Sequence, residues 1–129
     1  MFQNKVRFSL NVKLVNDEKV LSGMPKKWSE LNESVIKKSH KNLAIICGEV
    51  NNIVVIDFDE QGMQYFNQFE NIMDTYIETS TRGFKHAYFL YDKDLKNHDK
   101  NIKNNFDIDI LSNGSFCILG KENNNKVIS

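Results

Sequence analysis

Short apolar runs alternate with polar stretches along this chain of 129 residues, and the period of each run sets the element it can form. "KVRFSLNVKLV", residues 5–15, alternates apolar and polar side chains and predicts a half-exposed strand. The polar "NDEKVLSGMPKKW" after it reads as a loop holding the only proline and the only tryptophan. "SELNESVIKKSHK" predicts a short helix opened by Asn32 or Ser29 as its cap. "NLAIIC" and "NIVVIDFD" are strands separated by a turn through Gly48, Glu49, Val50, Asn51 and Asn52. "GMQYFNQFENIM" carries Met63, Phe66, Phe69 and Ile72 three apart, which predicts a helix with one apolar stripe. "TYIETS" and "HAYFLY" are strands around the polar "TRGFK". A lysine- and asparagine-rich connection follows, and "FDIDILSNGSFCILG" reads as a hairpin turning at Asn113-Gly114.

Three of these stretches put charge where an aliphatic residue would be expected. In "VVIDFD", Val55, Asp57 and Asp59 share one face of the strand while Val54, Ile56 and Phe58 share the other. The two carboxylates therefore point the same way, with Cα atoms roughly 7 Å apart. Their repulsion raises one pKa unless a cation sits between them, and a hard divalent ion such as Mg²⁺ meets that need. On this strand alone, acids that run out into solvent or cap the following helix at Glu60 are an equally open reading. In "ETSTRGFKHAYF", Thr79, Ser80 and Thr81 lead through Arg82 and Gly83 to Lys85 and His86. Hydroxyls, two cations and an imidazole at one strand end suit a triphosphate, although a plain basic loop tip has the same composition. In "FDIDILSNG", Asp107, Asp109 and Leu111 share a face opposite Ile108 and Ile110.

Composition narrows the classes. Hydrophobic content of 40% with 26% charged residues is that of a globular protein, excluding disordered and fibrous chains. Seventeen basic and seventeen acidic side chains cancel, so bulk charge announces neither a nucleic-acid nor a membrane binder. Cys47 and Cys117 lie in apolar runs without a CxxC pair, which fits buried thiols of a reducing compartment better than a disulfide or a zinc site. The first residues lack a signal-peptide core, and no run approaches the ~18 apolar residues of a membrane span. An intracellular, cytoplasmic protein with no membrane partner is expected.

In order, the three charged stretches resemble the archaeo-eukaryotic primase superfamily, in its primase-polymerase branch of viruses, plasmids and mobile elements. That family shows an hhhDxD strand, an "sGgrH" turn into an aromatic strand, and a later "hDhr" strand before a glycine turn. The counterparts here are "VVIDFD", "TSTRGFKHAYF" and "FDIDILSNGSF". Upstream, "MPKKW" and "NLAIICGEVNNI" look like the family's Pro/Trp segment and its strand-turn, so the resemblance spans about residues 20 to 120.

The resemblance implies Asp57, Asp59 and Asp109 as catalytic acids holding two Mg²⁺ or Mn²⁺ ions, and Ser80, Arg82, Lys85 and His86 as the nucleotide-binding set. Lys85 stands where the family often has arginine, and Phe84 replaces the second glycine of the turn. Asp107 competes for the role of third acid, but Asp109 lies closer to the glycine turn. Nucleoside triphosphates, a single-stranded DNA template and a replicative helicase, as a domain or a separate protein, are the implied partners. Lys37, Lys38, Lys41, Lys93, Lys96, Lys100 and Lys103 are available for template phosphates. The expected fold is α+β, a mainly antiparallel sheet with an RNA-recognition-motif-like catalytic core and helices packed on one side. Residues 1–129 are expected to form a single catalytic domain, either a minimal core or the front part of a longer protein. The expected function is template-directed nucleotidyl transfer by a DNA primase/polymerase in replication of a virus or mobile element. The alternative is a non-catalytic nucleic-acid- or nucleotide-binding module with the same fold. A phosphatase or a sugar transferase accounts less well for His86 and Asp109 together.

Overall fold

The apolar run before Asp57 lies at the centre of the molecule, with Ile53, Val54 and Val55 fully buried. The computed structural model describes residues 9–15, 18–21, 42–124 and 126–129. They form an α+β structure with nine strands: β1 (Ser9–Val15), β2 (Glu18–Leu21), β3 (Asn42–Ile46), β4 (Ile53–Phe58), β5 (Ile77–Thr79), β6 (Lys85–Leu90), β7 (Ile108–Leu111), β8 (Phe116–Ile118) and β9 (Lys121–Glu122). Helices α1 (Met63–Phe69) and α2 (Lys100–Phe106) follow β4 and β6.

The segment β4-α1-β5-β6-α2-β7 builds a sheet in the order β7-β4-β6-β5, extended at its edge by β9. Every neighbouring pair is antiparallel. This is the split βαβ arrangement of RNA-recognition folds. A second sheet runs β2-β1-β3-β8, also antiparallel throughout.

Alternation along β4 feeds two cores. Its even face meets the helices: Phe58 packs edge-on to Phe66 of α1 at 5.3 Å, with Ile77, Ala87 and Met63 around them. Phe106 of α2 touches Tyr65 of α1 at 5.1 Å, so both helices lie on that side. The odd face meets the second sheet, where Val55, Tyr88 and Leu111 pack with Ile45, Cys47 and Cys117. Both cysteines are free thiols within this layer.

The structure corrects several expectations. The stretch read as a loop after β1 contains β2, which pairs with β1 from Val12↔Leu21 to Val15↔Glu18. An edge strand needs a partner more than an apolar run. The lysine- and asparagine-rich connection contains α2, capped by Asp99, whose Oδ1 accepts from Asn101 N and Ile102 N. The stripe of α1 is only half used, since Phe69 and Ile72 are 48% and 76% exposed and the last turn is a 3-10 turn, Glu70–Ile72. A spacing of three in a 3.6-residue helix drifts by about 60° per step, so the fourth member faces away from the first.

The stretch expected to be a hairpin is instead a crossover, with β7 in one sheet and β8 in the other. Ser115 N donates to Ser112 O across the turn, and only Gly114 has positive φ, at +90°. A turn left-handed only at its second central residue splays its strands, whereas the hairpin turns are left-handed at the first. Gly48, at φ +101°, lets the β3–β4 crossover press against this turn: a Cβ there would lie 2.8 Å from Asn113 Cα. The helix expected over residues 29–41, the Pro25/Trp28 segment and Lys37, Lys38 and Lys41 lie outside the described residues.

Candidate active site

Strand register lines up four ionisable side chains across the five-stranded sheet. Asp57 is opposite Asp109 on β7 and opposite His86 on β6, and His86 is opposite Glu78 on β5. Paired residues in an antiparallel sheet project to the same face, here the face turned to the second sheet. The row therefore reads Asp109, Asp57, His86, Glu78.

His86 bridges two of the acids. Its Nε2 lies 3.3 Å from Asp57 Oδ1 and its Nδ1 lies 2.9 Å from Glu78 Oε1, with Cys117 Sγ at 3.4 Å. Glu78 is fully buried, a costly place for a carboxylate. Its charge is met by His86, by the Tyr88 hydroxyl donating to Oε1 at 2.8 Å and by the Tyr76 hydroxyl donating to Oε2 at 3.3 Å. Burial alone would lower the pKa of His86; the Cys117 sulfur, the Asp57 carboxylate and the Glu78 carboxylate outweigh it and push it up to about 12. Burial, then Cys117 and Glu78, push the Tyr88 phenol well up, which keeps it a donor.

Asp59 follows β4 and faces the same cleft as Asp57, together with Ser80, Thr81, Arg82, Phe84 and His86. Lys103 of α2 pairs with Asp59, its Nζ 2.6 Å from Asp59 Oδ2 and 3.3 Å from Asp107 Oδ1. Asp107 shares Asp109's face by period but is outside the row. It ends α2 in the left-handed region at φ +55°, and its Oδ2 accepts from Gln61 N at 3.0 Å. That backbone donor, and Lys103 beside it, hold its carboxyl below the usual range.

The loop between β5 and β6 closes on itself: Gly83 N donates to Ser80 O, and Phe84 N donates to Ser80 Oγ at 3.1 Å. Gly83 has φ +88° with open space around a built Cβ, so backbone conformation, not crowding, calls for glycine there. The Arg82 guanidinium sits 5.1 Å over the Phe84 ring at the cleft mouth. Lys85 is not brought to this set. One residue before His86, it takes the opposite face, with Nζ 2.9 Å from Thr79 Oγ1 and 5.9 Å from the Phe66 ring centroid. Period-two alternation forbids both residues from facing the acids.

A second cleft opens on the other side of Asp57, lined by Asp109, His98, Gly114, Ser115 and Phe116. His98 Nδ1 lies 2.8 Å from Asp109 Oδ1 and Nε2 lies 2.9 Å from Ser115 Oγ. Sequence reasoning missed Glu78, Tyr76, Tyr88 and His98, and assigned Lys103 to template phosphates where the structure pairs it with Asp59 and Asp107. Glu78 left a trace, a lone acid directly after Tyr76-Ile77 in the strand-like "YIET". Nothing in "KNHDK" marks His98.

Two donor sets could hold a cation. Asp57, Asp59 and Asp109 offer only oxygen, which suits Mg²⁺ or Mn²⁺, and the like charges of Asp57 and Asp109 on adjacent strands ask for one. Glu78, His86 and Cys117 offer a mixed buried set, with ligand atoms within 4.8 Å of one another. Both Glu78 oxygens there already accept hydrogen bonds from Tyr76, Tyr88 or His86. By donor type the first set suits a hard ion, although Asp59 and Asp109 line different clefts and each of its acids already has a cationic or imidazole partner.

Residues 15–125 match the profile of the family described as bifunctional DNA primase/polymerase, N-terminal. No curated protein and no solved structure matches the chain. Because the family match runs from the end of β1 through β9 and takes in every acid of the row, this chain belongs to the bifunctional DNA primase/polymerase N-terminal family.

Proposed function

We propose that this site performs template-directed, metal-dependent nucleotidyl transfer in the replication of a virus or mobile element. The observation that carries the reading is the register, which sets Asp109, Asp57 and His86 side by side: Asp57 and His86 line the cleft of Asp59, Ser80 and Arg82, and Asp57 and Asp109 line the neighbouring one. Asp57, Asp59 and Asp109 would hold Mg²⁺ or Mn²⁺. When bound, these ions neutralise triphosphate charge and activate the attacking 3′-oxygen.

The chain's own groups bind and orient. His86 lines the cleft with both ring nitrogens engaged by carboxylates, so it orients Asp57, and its Nε2 would meet a phosphate oxygen only in place of the 3.3 Å contact to Asp57. The Ser80 and Thr81 hydroxyls and the Arg82 guanidinium meet the remaining phosphate charge at the cleft mouth. Lys93, Lys96 and Lys100 are exposed and suit the template backbone. Lys103 is committed to Asp59 and Asp107, which leaves Lys93, Lys96 and Lys100 for the template.

The test is incubation with single-stranded DNA, labelled nucleoside triphosphates and Mg²⁺ or Mn²⁺. The parent protein is expected to give metal-dependent products and Asp57→Ala none. No product from the parent protein under either ion would sink the enzymatic reading. The Lys103–Asp59 pair favours a second reading, a non-catalytic nucleic-acid-binding module whose own ammonium fills a vestigial cation site. That module would bind single strands without product, and only Lys103→Met would take up Mn²⁺.

A further inference from the structure

The acid row ends at Asp109, and beyond it stands an imidazole that the proposed chemistry leaves unused. His98 belongs to the loop before α2, yet it is tied to the β7–β8 turn more firmly than a loop residue requires. Its backbone N donates to Ile110 O at 2.7 Å, its Nδ1 meets Asp109 Oδ1 at 2.8 Å, and its Nε2 meets Ser115 Oγ at 2.9 Å. The preceding Asn97 accepts from Ser112 N and from Ser115 Oγ, both at 2.8 Å. Five contacts thus hold two residues. His98 also has φ +53°, a left-handed conformation that costs a non-glycine residue on the order of 1 kcal/mol.

The geometry points to His98 as a positioning residue for Asp109, an inference that rests on the proposed metal-dependent reading of the row. Asp109 is a carboxylate, so Nδ1 carries the proton and donates in either charge state of the ring. The bond commits Oδ1 and leaves Oδ2 for a cation. Ser115, buried at the other edge of the ring, can give its one hydroxyl hydrogen to His98 Nε2 or to Asn97 Oδ1 but not to both, and stands 2.9 Å from Nε2 in the way of the ring swinging aside. Carboxylates that ligate metals are commonly oriented by such outer hydrogen bonds.

A merely structural role explains less. The His98 backbone N–H already secures the loop to β7, and Asn97 secures it to the turn, so the imidazole is not needed to start α2. As an ion pair with a 57% exposed histidine, the contact would add almost nothing to stability. What the imidazole does supply is a fixed orientation for the third acid.

Mn²⁺ binding to the full chain, followed by electron paramagnetic resonance without nucleotide, tests this directly. His98→Gly keeps the left-handed backbone and removes the ring. It is expected to weaken Mn²⁺ binding about 10-fold or more, to lower kcat similarly and to leave the nucleotide KM near that of the parent protein. His98→Asn keeps a donor near the Nδ1 place and tolerates positive φ, and is expected to recover most of the loss. Ser115→Ala should fall between the two. Unchanged Mn²⁺ affinity and kcat in His98→Gly would overturn the inference and leave the proposed function standing. A parent protein that binds no Mn²⁺ would overturn both.

Discussion

Two histidines bear on the acids, His86 from within the row and His98 from beyond its Asp109 end, and they do so in opposite surroundings. His86 is 5% exposed, with carboxylates on both ring nitrogens and two tyrosine hydroxyls behind its partner Glu78. The His98 side chain is 57% exposed, and a serine hydroxyl is its second partner. The contact to aspartate is longer on the buried side, 3.3 Å against 2.8 Å, yet that side matters more for folding. Charges in a low-dielectric layer interact strongly and are costly to leave alone, whereas water screens an exposed pair at any distance. The buried flank therefore holds the structure together, and the exposed flank can only steer.

Glu78→Ala is the hardest blow to that contrast. It strands His86 and the hydroxyls of Tyr76 and Tyr88 without their acceptor, and urea denaturation is expected to show a loss of about 3–5 kcal/mol. A similar loss in His98→Gly would erase the distinction between the flanks.

Alkaline pH should probe the same flank more gently. The folded-state pKa of His86 is raised from 6.5 to about 12, so its contribution is full below 6.5 and is lost as pH rises toward 12. In metal-free protein, unfolding free energy is expected to fall by roughly 1 kcal/mol per pH unit between pH 7 and 9. In His86→Gln that slope should flatten, and a slope of equal steepness would show that His86 is not the group responsible.

His98→Gly should change the thermal midpoint little, by less than about 1 kcal/mol in stability, because a screened pair is removed and a left-handed residue is relieved. Asp107→Asn is expected to have the smallest effect. Asparagine tolerates the left-handed cap, and the exposed pairing with Lys103 is worth a few tenths of a kcal/mol at most. The Asp107 carboxyl is depressed, so its contribution exists above its unfolded pKa of about 3.9 and disappears as pH falls through the folded value. Parent and Asp107→Asn proteins should thus converge in stability in an acid titration, and a difference persisting at pH 2 would contradict that origin.

The parts of the site that were readable from residues were those that depend on local period. Asp57 and Asp59 face one cleft because they stand two apart at a strand end, and Asp109 and Leu111 share a face for the same reason. The same rule, applied to Lys85 and His86, separates them, and composition alone had grouped them together. Helix α2 escaped notice because Ile102 and Phe106 make too thin a stripe to stand out among lysines and asparagines. Asn113-Gly114 predicts a hairpin and forms a crossover because the dipeptide does not reveal which of its residues turns left-handed.

The sequence by itself determined which residues share a face, where the apolar layers lie and which acids end the core strands, since these follow from the two-residue repeat of an extended chain. Tertiary structure decided everything that needs a neighbour from elsewhere in the chain. It placed Asp109 in register with Asp57 and Asp107 in a helix cap. It set Glu78 behind His86, brought Lys103 to Asp59 and swung His98 against Asp109. Those partners are separated by 8 to 44 positions along the chain, and only strand pairing and loop closure bring them within a hydrogen bond of one another.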